Sequence, residues 1–220
     1  MLKQKDLIYA ARLISLVFTP FYLPIVGLIV LFWFSYLSLL PWSYKLLVLT
    51  VVYIFTILLP TTIIHLYRRY HGWTLIEFGQ RERRMIPYAI SIACYFTCVY
   101  IMDSIHIPHF MSNIVTVALF LQILCALINV WWKISTHTAA IGAMTGALFA
   151  FAEIFAFNPV WWFCLMIIIA GLLGTSRMVL RQHTLSQVIV GYIIGIFTGA
   201  LGIAVSYTHL RAHETLANLV

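Results

Sequence analysis

Charge is what this chain has least of: Asp, Glu, Lys and Arg together make up 9% of its 220 residues. The acids are Asp6, Glu77, Glu82, Asp103, Glu153 and Glu214, six in all. Such scarcity excludes a soluble globular domain, in which about a quarter of positions are charged. Strict apolar/polar alternation over strand-length segments is also missing, and this excludes a transmembrane barrel. The four cysteines, Cys94, Cys98, Cys125 and Cys164, all lie in apolar runs. A thiol there behaves as a small hydrophobe, so the sequence predicts neither a disulfide nor a metal site. The first apolar run has no A-x-A-like cleavage site and is about twice the length of a signal-peptide core. It reads as a membrane helix.

What is present is hydrophobic: 63% of residues, with a mean hydropathy of +1.01. A spanning helix needs about 20 predominantly apolar residues. Seven stretches approach that length, at about 13–38, 46–66, 86–103, 111–132, 138–154, 158–175 and 185–206. The fifth and sixth are short and interrupted by glycine and by Asn158-Pro159, so six spans plus a re-entrant piece is the alternative count. The expected fold is all-α, a polytopic transmembrane helical bundle of six or seven spans. Pro20 and Pro24 predict a bend in the first. A loop with Asp103, His106 and His109 around Pro108 reads as a polar cap and not as a metal site.

The rare polar groups cluster at helix starts. One cluster is Arg81-Glu82-Arg83-Arg84 before the third span, a second is Lys133 to His137 before the fifth, and a third is Ser176 to Gln187 before the seventh. Two spans separate each from the next, so all three emerge on one membrane face. Helix N-termini offer free N–H groups and a positive dipole end, which suits an anion. Arg177, Arg181 and the Arg81–Arg84 group add forked donors matched to phosphate oxygens. Gly142 and Gly146 in the fifth span, and Gly191, Gly195 and Gly199 in the seventh, form small-xxx-small rows. Packing along these rows would bring His137 and His183 together.

Ser135-Thr136-His137, followed about 40 residues later by Ser176-Arg177, five residues and His183, resembles the type 2 phosphatidic acid phosphatase (PAP2) superfamily in a divergent, bacterial-type form. The resemblance runs over roughly residues 80–200 and is most specific in the third cluster. Ile134 stands where that family has Pro, Thr136 where it has Gly, and Gln187 where it has Asp; the first motif is degenerate around Arg83, Arg84 and Pro87. The implied organisation is N-terminal helices over 1–80, a catalytic core over 81–206, and a tail over 207–220 that looks foreign to the rest.

The resemblance implies a membrane-embedded, metal-independent phosphatase of a lipid phosphate or polyprenyl (pyro)phosphate, acting through a phosphohistidine and without a cofactor. His183 would be the nucleophile, His137 the acid that protonates the leaving group, and Gln187 the partner of His183. Arg177, Arg84, Arg83, Ser135 and Ser176 would bind the phosphate. Glu77 or Glu82 could stand in for the missing Asp. The alternative is a non-catalytic relative that binds or moves an anionic lipid. The expected partners are the bilayer and the lipid, with no nucleic acid. The expected location is a bacterial inner membrane. Lys3, Lys5, Arg12, Arg68, Arg69 and Lys133 share the motif face, and Lys45 lies opposite, which predicts a site facing the cytoplasm.

Overall fold

The computed structural model describes residues 4–34, 36–72, 82–156 and 158–217. Among the described residues there are nine α-helices: α1 Gln4–Val17, α2 Leu23–Phe34, α3 Trp42–Tyr53, α4 Leu59–Tyr70, α5 Met85–Ser104, α6 His109–Trp131, α7 Thr136–Phe155, α8 Val160–Val179 and α9 Leu185–Ala217. No strand occurs among the described residues. Seven segments among the described residues are long and apolar enough to cross a membrane: Lys5–Trp33, Trp42–Tyr70, Met85–Ser104, His109–Trp131, Thr136–Ile154, Val160–Val179 and Leu185–Val205. The fifth and sixth are full-length, so the re-entrant count falls away. The protein is an integral membrane helical bundle.

Prolines set the irregularities. The first span begins at Lys5, well before the expected 13, and breaks where Thr19 turns extended and Pro20 opens a short 3-10 turn to Tyr22. Pro24 causes no second bend, because it falls in the first turn of α2, where its missing N–H has no helical partner to lose. In the second span a π-turn over Ile54–Leu58 precedes Pro60. A proline ring crowds the carbonyl four residues back, here that of Thr56, and the wider turn makes room for it. The seventh span ends at Val205, but α9 continues unbroken to Ala217. The break in character read at Tyr207 is therefore no break in the helix.

Two apolar clusters fill the bundle. One, away from the motifs, joins Leu28, Val48, Val52, Cys98, Met102, Met111 and Val115. The other lies beneath the motifs and joins Tyr88, Leu121, Cys125, Ile134, Ala139 and Ala143. Lys45 is buried beside the first, its ammonium donating to the Ser38 carbonyl at 2.6 Å and lying 5.0 Å from the Trp42 ring centre.

The tightest seam runs between α7 and α9, which are parallel. A Cβ at Gly142 or Gly146 would overlap the carbonyl of Tyr192 or Ile196, and one at Gly195 or Gly199 would overlap that of Ala139 or Ala143. Only the absence of a side chain lets these backbones meet. Gly195→Ala must push the helices apart, with a loss of about 1–3 kcal/mol as for other overpacked sites and a lower melting temperature in detergent. Gly171→Ala, whose Cβ meets nothing within 4 Å, should leave that temperature unchanged.

Candidate active site

The seam fixes the start of α7. Ser135 caps the helix, its Oγ accepting from the Thr138 N–H at 3.5 Å, while its own N–H donates to the Gln187 carbonyl at 3.4 Å. That bond ties the first turn of α7 to the first turn of α9. Arg84 precedes α5 and donates to the Ile134 carbonyl at 3.4 Å, with its guanidinium 5.9 Å from the Tyr88 ring centre. Thus the short connection before α7 is held from both sides.

The end of α8 turns the chain back. Gln182 N–H closes on the Arg177 carbonyl at 3.1 Å and Arg181 N–H on that of Met178 at 2.9 Å. This is the paired bonding of a Schellman cap. Arg181 takes the left-handed position with φ 52°, where glycine is usual. The cap stops α8 just beyond Arg177 and delivers His183 to the same end of the bundle.

His183 is buried, and its Nδ1 lies 3.0 Å from Gln187 Oε1. The same oxygen accepts from the Thr184 backbone N–H at 3.3 Å. A backbone N–H can only donate, so it fixes which end of the Gln187 amide is oxygen. Nδ1 of His183 must then carry its proton, and Nε2 keeps a free lone pair. Burial first, then Arg84 and Arg177, push the His183 pKa down to about 3, against a rise from the Gln187 bond. The ring is neutral at physiological pH. Burial, Arg84 and Arg177 likewise lower the Lys133 pKa.

These groups surround a cavity of about 300 Å³ lined by Arg84, Lys133, His137, Arg177, Gln182 and His183, with Thr136 alongside. The wall is completed by Thr19, Pro20 and Phe21 from the break in the first span and by Pro87, Tyr88, Ser91 and Gln122. Nε of Arg177 is buried and has no partner among the described residues. Three cations and two imidazoles face one space, and no carboxylate among the described residues lines it. Such a space attracts an anion of more than one charge.

Of the residues singled out in the sequence, His137, His183, Arg84 and Arg177 come together here, with Gln187 behind His183. Others do not. Ser135 is fully buried as the α7 cap, and the Ser176 hydroxyl donates to the Leu172 carbonyl at 2.7 Å. Neither lines the cavity, so their expected phosphate contacts are replaced by backbone ones. Arg83 is half-buried but off the cavity wall, and Arg181 is exposed at the cap. Arg81 and Glu77 lie outside the described residues, as does the side chain of Glu82. Lys133 and Gln182, which lie within the expected clusters without an assigned role, also line the wall, while Gln122 and the Thr19–Phe21 break joined it unforeseen. Lys133 had a legible signal, since it stands four residues before His137.

A sequence model of the PAP2 superfamily matches residues 129–211. Neither curated proteins nor solved structures yield a match to the chain. The matched stretch contains α7, α8, their connections and most of α9, and hence every cavity cation except Arg84.

The depressed pKa carries a pH signature. Protonation removes the lone pair of His183, so lowering the pKa extends the neutral form downward in pH. In a kcat/KM profile corrected for substrate ionisation, His183 should contribute no acid limb until about pH 3. Gln187→Asp places a negative charge beside Nδ1 and favours the charged ring. The limb should then move upward, and the rate at neutral pH should rise at least about tenfold, by analogy with the loss seen when a triad Asp becomes an amide.

Proposed function

We propose that this chain, whose residues 129–211 match a model of the PAP2 superfamily, a family of phosphatase-type function, hydrolyses a lipid phosphate or polyprenyl (pyro)phosphate through a phosphohistidine. The observation that carries this reading is the lone pair of His183 Nε2, left free beside three cations and a second imidazole. The lone pair attacks phosphorus as the bond to the leaving oxygen breaks, and His137 donates its proton to that oxygen. Water then attacks the phosphorus of the N–P bond; His137 accepts a proton from it, and His183 returns to its neutral form. Arg84, Arg177 and Lys133 stabilise the charge on the non-bridging oxygens. A lipid suits the setting, since the cavity opens at the end of membrane-spanning helices and one wall is built from Pro20, Phe21, Pro87 and Tyr88.

Purified protein assayed on phosphatidic acid, phosphatidylglycerol phosphate and polyprenyl diphosphate should release phosphate from at least one. His183→Ala should abolish release while the fold and lipid binding persist. Rapid acid-free quenching with labelled substrate should trap label on the wild-type protein and none on that variant. Lipid binding with no release from any substrate would favour a non-catalytic binder.

For location we propose a bacterial inner membrane, with the site toward the cytoplasm. Arg68, Arg69 and Lys133 border the site's end of the bundle and Lys45 lies opposite, as the positive-inside rule requires. Tyr70, 87% exposed at the end of α4, is the reporter. In a cysteine-free background, Tyr70→Cys should resist a membrane-impermeant thiol reagent in intact cells and react once they are permeabilised. Prompt labelling in intact cells would reverse the orientation.

A further inference from the structure

We propose that Gln122, inside the α6 span, selects the substrate by bonding its amide to an oxygen that a neutral leaving group carries close to the phosphate ester. A glycerol-based lipid phosphate supplies such an oxygen in its ester carbonyls, and a polyprenyl chain has none. The proposal rests on the phosphatase reading above and deepens it.

An amide at this depth needs a partner. α6 ends at Trp131 on the motif side, so Gln122 lies about 13 Å inside the span at 1.5 Å per residue. It is only 7% exposed, and no hydrogen bond engages its amide among the described residues. Other polar side chains of α6 are engaged. The Ser112 and Thr116 hydroxyls each donate to a backbone carbonyl at 3.1 Å, and the Asn129 amide donates to the Met85 sulfur at 3.5 Å. A buried amide without a partner is unfavourable, most of all where lipid replaces water.

The cavity shows what the partner is. Its cations stand at the helix ends: Arg84 precedes α5, Lys133 follows α6 and Arg177 lies in the last turn of α8. Gln122 and the Thr19–Phe21 break line the same cavity further in, within their spans. Ser91 joins them there, with its hydroxyl already donating to the Pro87 carbonyl at 2.7 Å. Past Gln122 and Pro20 lies a separate space of only about 10 Å³. Gln122 is therefore the floor of the catalytic cavity.

A phosphate held by the three cations has its leaving group on the inner side. A charged leaving group, such as the prenyl phosphate released from a diphosphate, finds no cation on that wall among the described residues. A bare hydrocarbon would leave the amide unpaired, and a site built to bond a polar group rejects the analogue that lacks it. An ester carbonyl or a hydroxyl satisfies the amide, and the tails would leave past the half-exposed Pro20, Phe21 and Pro87. Gln122 lies outside residues 129–211, so the family match assigns it no part.

The test compares dioctanoyl phosphatidic acid with farnesyl phosphate, two monoesters, in detergent micelles. Gln122→Met keeps the length of the side chain and removes the amide. The ratio of kcat/KM for the first ester over the second should fall at least about tenfold relative to wild type. Dividing one protein's ratio by the other's cancels the intrinsic reactivity of the two esters. Gln122→Asn, with an amide on a shorter arm, should show a smaller fall. An unchanged ratio, whether both rates drop alike or neither moves, would mean a packing role and overturn the proposal, as would a rise. Should Gln122→Met not fold, Gln122→Leu carries the same comparison.

Equilibrium binding of the same two lipids to His183→Ala protein repeats the test without turnover. Adding Gln122→Met should weaken binding of dioctanoyl phosphatidic acid relative to farnesyl phosphate, and an unchanged binding ratio would overturn the proposal. Failure of wild-type protein to hydrolyse either ester would count instead against the phosphatase reading, and the binding ratio would still decide the role of Gln122.

Discussion

The close parallel contact of α7 and α9 is the constraint on which the rest depends. Two helices running the same way must be joined by something that crosses back, and α8 does this. Their N-termini consequently emerge at one end, and the bond from Ser135 N–H to the Gln187 carbonyl locks them in register. The register decides whether His137 and His183 face one cavity or two. Within a bilayer there is little hydrophobic drive to hold such a pair, so glycine-permitted backbone contact must supply it. The chemistry at the end of the seam is thus set by carbonyl–Cα packing along its length.

The cavity carries an electrostatic load that the fold does not itself cancel. Arg84, Arg177 and Lys133 repel one another across it, and no carboxylate among the described residues lines the space to offset them. Burial of like charges is unfavourable unless an anion joins them. Burial, with the same cations, keeps His183 neutral, so one arrangement both favours an anion and preserves a lone pair at its edge. Both follow from a cavity wall that carries no carboxylate among the described residues.

The spans were legible in the sequence because length and hydropathy are local properties. So were the glycine rows, whose four-residue spacing is the period at which one helix faces another. His137, His183, Arg84 and Arg177 could be placed on one face by counting spans. Ser135 and Ser176 could not be read correctly, because a hydroxyl's partner depends on whether the nearest orphan group is a backbone one. Ser135 sits where the α7 N–H groups begin, and Ser176 one turn after the Leu172 carbonyl. The wall from Thr19 to Phe21 was illegible for another reason. Pro20 announced a bend, but where a bent helix comes to rest is decided by packing across more than 100 residues of chain.

Gln187 shows how a substitution can keep one half of a role and surrender the other. Its oxygen holds two donors, His183 Nδ1 and Thr184 N–H, so the tautomer and orientation of the ring survive without a carboxylate. What an amide cannot supply is the charge that would stabilise a ring becoming cationic as it bonds to phosphorus. Among the described residues the charges acting on the ring are of the wrong sign for that task, since Arg84, Arg177 and Lys133 each disfavour a cationic ring. On the proposed reading, the substrate's own phosphate charge offsets them, so that the bound anion would have to quiet the cations before the imidazole could become one.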